Sequence, residues 1–198
     1  FATAKLFRYV EEASKKRCAL EAIPSNDHNQ IETKNLLHAE AEAATSIVKA
    51  FADALIAFEL RSLDGKAYEE QRTGEAENVQ MHMKRDTNNA PNNQQPTVHQ
   101  LSAYAREQLR GRRTFHWPVE FPEVFARGGF DGFVGNPPFM GGSKITIAFD
   151  VPYRNYLVRA MGTGEKGKAD LCAYFILRAG ELLIDHGIFG LVATNAIA

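Results

Sequence analysis

The chain has 198 residues, 44% of them hydrophobic and 24% charged, and 23 Lys and Arg set against 24 Asp and Glu leave a net charge of -1. That length supports one domain, or one domain with a helical attachment, around a real core. The near-neutral balance excludes a global basic field, so a polyanion would have to be met by a local patch.

No run approaches the ~18 apolar residues of a membrane span, and no signal peptide is visible. Cys18 and Cys172 lack metal spacing and read as reduced thiols of a cytoplasmic protein rather than a disulfide. The chain opens on Phe1 rather than Met and stops at Ala198 straight after a strand pattern, which reads as an excerpt of a longer protein.

Residues 2 to 22 are helix-like: Leu6, Tyr9, Val10, Ala13 and Leu20 share one stripe, and Pro24 lies beyond the end. Lys15, Lys16 and Arg17 read as a solvated turn of that helix. The longest periodic segment runs from Thr33, a candidate N-cap, to Leu63 before Asp64-Gly65. Within it Leu36, Leu37, Ala44, Ile47, Val48, Phe51, Leu55 and Phe58 recur at three- and four-residue steps. Residues 64 to 96 are polar and read as a loop, densest at Asn88 to Pro96.

Thr97 to Gln100 has the form of a capping box, opening a helix that ends at Gly111. Arg106, Arg110, Arg112 and Arg113 are the chain's notable basic cluster. They suit either a phosphate backbone or a solvated helix end. A short strand or extended edge is expected over Thr114 to Trp117, followed by a Phe/Pro segment to Phe125. His116 has no metal-like partner spacing, and no metal site is expected.

Phe130 to Gly135 reads as a short buried strand halted by Pro137 and Pro138, since proline cannot donate to a ladder. Asn136 is thereby held at a strand's C-terminal end, where open α/β sheets bind ligands. Its amide oxygen and a neighbouring carbonyl, expected from Pro137, can both accept from one exocyclic amino group. Phe139 can stack on the ring that carries the amine. The same residues equally suit an Asx-capped turn.

Met140 to Ser143 reads as a flexible loop, and Asp150 with Pro152 opens a helix to Ala160 or Met161. Tyr153, Arg154 and Arg159 are weaker candidates for facing a nucleic-acid strand. Gly162 to Gly167 matches G-x-G-x-x-G, but such a phosphate site requires a preceding strand, and a helix is expected there. Asp170 to Asp185 reads as a helix, broken by Gly187 before a buried strand over Ile188 to Ala193. Strand, crossover helix and strand predict parallel neighbours, so that Asn136 and Asn195 leave at one sheet edge.

The tetrapeptide Asn136-Pro137-Pro138-Phe139 resembles motif IV of the amino-methyltransferases, in the group that methylates adenine N6 in DNA. The run from Phe115-His116-Trp117 through Glu120-Phe121-Pro122-Glu123-Val124-Phe125 resembles the lead-in of large bacterial defence methylases. These are the fused type IIG, Eco57I-like restriction-modification enzymes and the phage-exclusion methylases. Gly167 to Leu171 with Tyr174-Phe175 is similar to their helix after motif IV, and Gly187 to Asn195 to their next strand.

The resemblance implies an α/β fold: a partial Rossmann-like methyltransferase sheet over 114–198, preceded by a mainly helical insert over 1–113 containing the polar loop 64–96. It implies DNA as partner and S-adenosylmethionine as methyl donor. Asn136, Pro137, Pro138 and Phe139 take the catalytic positions, and Phe139, Lys168 and Asn195 are candidates for substrate contact. No strand with a glycine-rich turn precedes motif IV. The donor's main site, and other parts of the same protein, are therefore expected outside this sequence, and the piece alone is expected to be nearly inactive. The same acceptor pair would also serve a methyltransferase of protein glutamine or of RNA. A non-catalytic scaffold in a defence complex is the other alternative.

Overall fold

A computed structural model describes residues 2–61, 63, 65–88, 96–162 and 169–192. The chain divides into two compact units, residues 1–58 with 63–127 and residues 59–62 with 128–198. No helix among the described residues is long and apolar enough to cross a membrane.

The first unit is helical. Helix α1 (Ala2–Ala22) is followed by α2 (His28–Glu59), α3 (Gly65–Asn88) and α4 (Pro96–Leu109). Helix α2 starts five residues ahead of Thr33. Its cap is Asp27, whose Oδ1 accepts from the amide of Gln30 at 2.9 Å, while Gln30 reaches back to the amide of Asn26 at 2.9 Å. Thr33 instead returns its hydroxyl to the carbonyl of Asn29.

Ile47, Ala50, Phe51 and Ala54 of α2 pack with Leu101 and Ala105 of α4, and Leu6 and Tyr9 of α1 close over them. Small alanines on the α2 stripe let neighbouring side chains approach closely. Leu55 follows Ala54 by one residue, about 100° round the helix, and is exposed, as is Leu36.

Helix α3 corrects the expectation of a loop where it falls on residues 65–88; residues 64 and 89–95 of that expected loop lie outside the described residues. It has little apolar stripe, so periodicity missed it. Its Lys, Ala, Glu, Gln and Arg are strong helix formers, and pairs such as Lys66–Glu70 (3.5 Å) and Arg72–Glu69 (2.8 Å) support its surface. It is fastened by the Tyr104 hydroxyl, which donates to the buried carboxylate of Glu75 at 3.0 Å, and by Tyr68 against Phe58, ring centroids 5.5 Å apart. Helix α4 ends at two left-handed residues, Arg110 (φ 52°) and Gly111 (φ 80°).

No strand forms over 114–117. The segment instead enters two single helical turns, α5 (Trp117–Glu120) and α6 (Pro122–Phe125), each with proline in its first turn, where a missing amide costs nothing. Three groups of the helical unit fix it. His116 Nε2 and the Thr114 hydroxyl meet Asp53, the former at 2.7 Å, and Lys49 reaches Glu120 at 2.7 Å. Arg17 is no solvated residue. Its guanidinium bonds the carbonyl of Glu120, lies over the ring of Phe121 and pairs with Glu123. Trp117 stacks on Phe121 and meets Phe115 edge-on.

The second unit is α/β. It contains β1 (Phe130–Gly135), α7 (Gly142–Phe149), α8 (Val151–Ala160), α9 (Leu171–Leu182) and β2 (Leu183–Leu191). The strands are parallel, with Gly132 opposite Ile188 and Gly135 opposite Leu191. Helix α9 stops at Leu182 rather than Asp185. The register then jumps, from Phe130 opposite Leu183 to Gly132 opposite Ile188, because residues 184–187 fold tightly enough to bring Gly187 against Leu183.

Gly129 leads into β1 with φ 138°, and a Cβ there would sit 2.6 Å from the carbonyl oxygen of Leu182. Only glycine fits this crossing. Both strands were expected to be buried, yet Val134 is 94% and Ile188 75% exposed. Two strands alone have no second layer to cover both faces. The buried core of this unit lies among the helices instead, where Ile145, Leu157, Val158, Leu171 and Tyr174 meet.

Candidate active site

Strand β1 delivers Asn136 to the sheet's C-terminal edge. The ladder continues one step past the assigned strands, with the amide of Val192 donating to the carbonyl of Gly135 at 3.0 Å. The backbone is therefore fixed up to the residue before Asn136. Of the next four residues only Pro137 is buried: Asn136 and Pro138 are exposed, and Phe139 is 48% exposed. Among the described residues nothing hydrogen-bonds to the exposed Asn136 side-chain amide. Burial of Pro137 pins the backbone between the two exposed groups.

The far side of the loop is also fixed. Met140, expected to begin a flexible loop, packs its side chain against the helical core and exchanges two hydrogen bonds with the start of α9. The Leu171 amide donates to the Met140 carbonyl at 2.8 Å, and Asp170 Oδ1 accepts from the Met140 amide at 3.1 Å. The same Oδ1 caps α9 by accepting from the Cys172 amide at 2.9 Å. Gly141 caps α7, which begins at Gly142 where a loop was expected. The loop 136–140 is thus held at both ends and open between them. Asp170 was legible in the sequence as a helix start; its bond to Met140, thirty residues away, was not.

Asp150 opens α8, its Oδ1 accepting from the Tyr153 amide at 3.0 Å, but with φ 97° and ψ 171°, a backbone region that side chains rarely adopt. Burial raises the hydroxyl pKa of Tyr153 and of Tyr156 above the ordinary tyrosine value. Arg159 is bound to the Glu59 carboxylate and carbonyl, which removes it as a ready phosphate contact. A helix, α8, precedes Gly162, as the rejection of a phosphate loop there requires.

Lys168 and Asn195 lie outside the described residues. No metal-binding cluster of His, Cys, Asp or Glu occurs among those described, and Cys18 and Cys172 are free thiols. Strand β1 runs into two prolines rather than through a glycine-rich turn into a helix, and the residues from 193 on, beyond β2, lie outside the described residues. None of the described residues is assigned to S-adenosylmethionine.

No curated protein and no solved structure matches the chain. The family model of the Eco57I restriction-modification methylase matches residues 10–198, nearly the whole sequence, and the chain belongs to that family.

Proposed function

We propose that this chain supplies the base-binding side of a site-specific DNA methyltransferase acting on the N6 amino group of adenine, with S-adenosylmethionine as donor, in restriction-modification or phage defence. The observation that carries the reading is an exposed Asn136 amide at the end of β1, with the half-exposed Phe139 ring three residues on in a loop fixed at both ends. Two acceptors, the Asn136 side chain and the Pro137 carbonyl, would take both amino hydrogens of an extruded adenine. The nitrogen lone pair is then drawn out of conjugation with the ring and left free to meet an electrophilic methyl group. Phe139 would stack on the base, an interaction available to any flat ring once it has left the duplex. The work done by these residues is positioning and electrostatic, in a site where hydrogen-bond partners are held before the substrate arrives.

Methylation of DNA by the full-length protein, followed by mass spectrometry of the digested nucleosides, tests this. N6-methyladenine is the expected product. Replacement Asn136→Ala is expected to lower its rate roughly 10²–10³-fold, the usual cost of removing one such hydrogen-bond partner. Unchanged adenine methylation by Asn136→Ala, or methyl groups found on glutamine or RNA instead, would refute it.

A further inference from the structure

The geometry points to Asp170 as a positioning residue for the 136–140 loop, acting as a latch on the backbone of Met140. This rests on the methyltransferase reading of Asn136 and Phe139. Helix capping alone needs one acceptor at the position before the helix, and Asp170 meets that need through the Cys172 amide at 2.9 Å. It does more. The same oxygen takes the Met140 amide at 3.1 Å, and the Leu171 amide returns a bond to the Met140 carbonyl at 2.8 Å.

Both main-chain groups of Met140 are thus tied to one end of α9, while its side chain packs on the core containing Leu171 and Tyr174. Met140 directly follows Phe139. At the other end the Val192 amide holds the Gly135 carbonyl, directly before Asn136. Between the two ties stand only the four residues that would meet the base. Release of either tie lets the Asn136 oxygen, the Pro137 carbonyl and the Phe139 ring drift relative to one another. Catalysis by positioning is sensitive to that, since a misplacement of about 1 Å can cost roughly 10²-fold in rate.

The cap and the latch are separable. Serine at position 170 retains a good helix cap, but its hydroxyl is one bond shorter than a carboxylate oxygen and does not reach both amides. Asparagine retains the reach and the acceptor. In the full-length protein, Asp170→Ser is expected to lower kcat for DNA methylation about tenfold or more. The KM for DNA should change much less, and the melting temperature should stay near that of the parent. Asp170→Asn is expected to run several-fold faster than Asp170→Ser. The latch is refuted if Asp170→Ser turns over like the parent, or if activity in the two variants falls only in step with melting temperature. Running Asn136→Ala alongside separates the two proposals. If that variant is inactive and Asp170→Ser is not, the latch alone fails; if Asn136→Ala is fully active, the site reading fails first.

Discussion

Arg17 on α1 and Glu123 on α6 form an ion pair across the helical unit, Nε to Oε2 3.4 Å, with the Glu123 side chain 6% exposed. That oxygen has no hydrogen-bond partner among the described residues, so the guanidinium compensates its charge at a distance longer than a hydrogen bond. Arg17 also bonds the Glu120 carbonyl and lies 5.6 Å from the Phe121 ring centroid. One side chain therefore holds three points of the corner between α5 and α6.

Removing it leaves a buried carboxylate alone. Arg17→Ala is expected to destabilise the protein by about 3 kcal/mol, the scale for breaking a buried pair by taking away one partner. Adding Glu123→Gln removes the orphaned charge and should recover part of that loss. Urea denaturation of the parent, single and double variants measures both. A loss under ~0.5 kcal/mol, the level of an exposed pair, would mean that Arg17 is a surface residue after all.

Phe139 permits a test that isolates the ring from the amide. A base stacked on an aromatic side chain is stabilised by ~1–3 kcal/mol. Phe139→Ala in the full-length protein should therefore lower kcat/KM for DNA roughly 5- to 150-fold. Phe139→Tyr, which keeps the flat face, should retain most of the rate. Because the ring is already 48% exposed, Phe139→Ala should change thermal stability little. A large fall in melting temperature with an equal fall for Phe139→Tyr would assign the ring to packing.

How far the sequence disclosed these features follows from which physical signals are local. Strand β1 was legible to the residue because Pro137 and Pro138 end it by chemistry that needs no partner. Asp150 likewise announced α8 through a cap three residues ahead of the amide it binds. Helix α3 was hidden because its stability comes from helix-forming residues and surface pairs rather than from a stripe. Arg17 read as solvated because a charge on a helix surface carries no local sign of a carboxylate arriving from residue 123. At the site, Asn136 and Phe139 stood out by type and spacing. The ties that hold their loop run to the side chain of Asp170 and the backbone of residues 171 and 192, and a hydrogen bond to a main-chain group so far along the chain leaves no trace in side-chain pattern.

Asp53 gives the acid response a definite sign. Burial pushes its carboxyl pKa up, but hydrogen bonds from His116 and Thr114 outweigh that, and the group titrates below its ordinary value of 3.8. A depressed carboxyl contributes stability that is complete above the unfolded-state value and is lost as pH falls through the folded-state one. Asp53→Asn, which keeps the shape but not the charge, is expected to cost about 1.5–3 kcal/mol at neutral pH, the scale of hydrogen bonds to an ionised acceptor. The stability difference from the parent should shrink once the pH drops below 3.8, the ordinary carboxyl value, because the parent's own carboxylate is then being protonated. Urea midpoints for both proteins across the acid range measure that difference directly and cancel the titration of shared groups that do not touch residue 53. A difference that stays constant from neutral to acid pH would show that the Asp53 charge does not hold Thr114 and His116, and that the segment leading to Trp117 is fixed by packing alone.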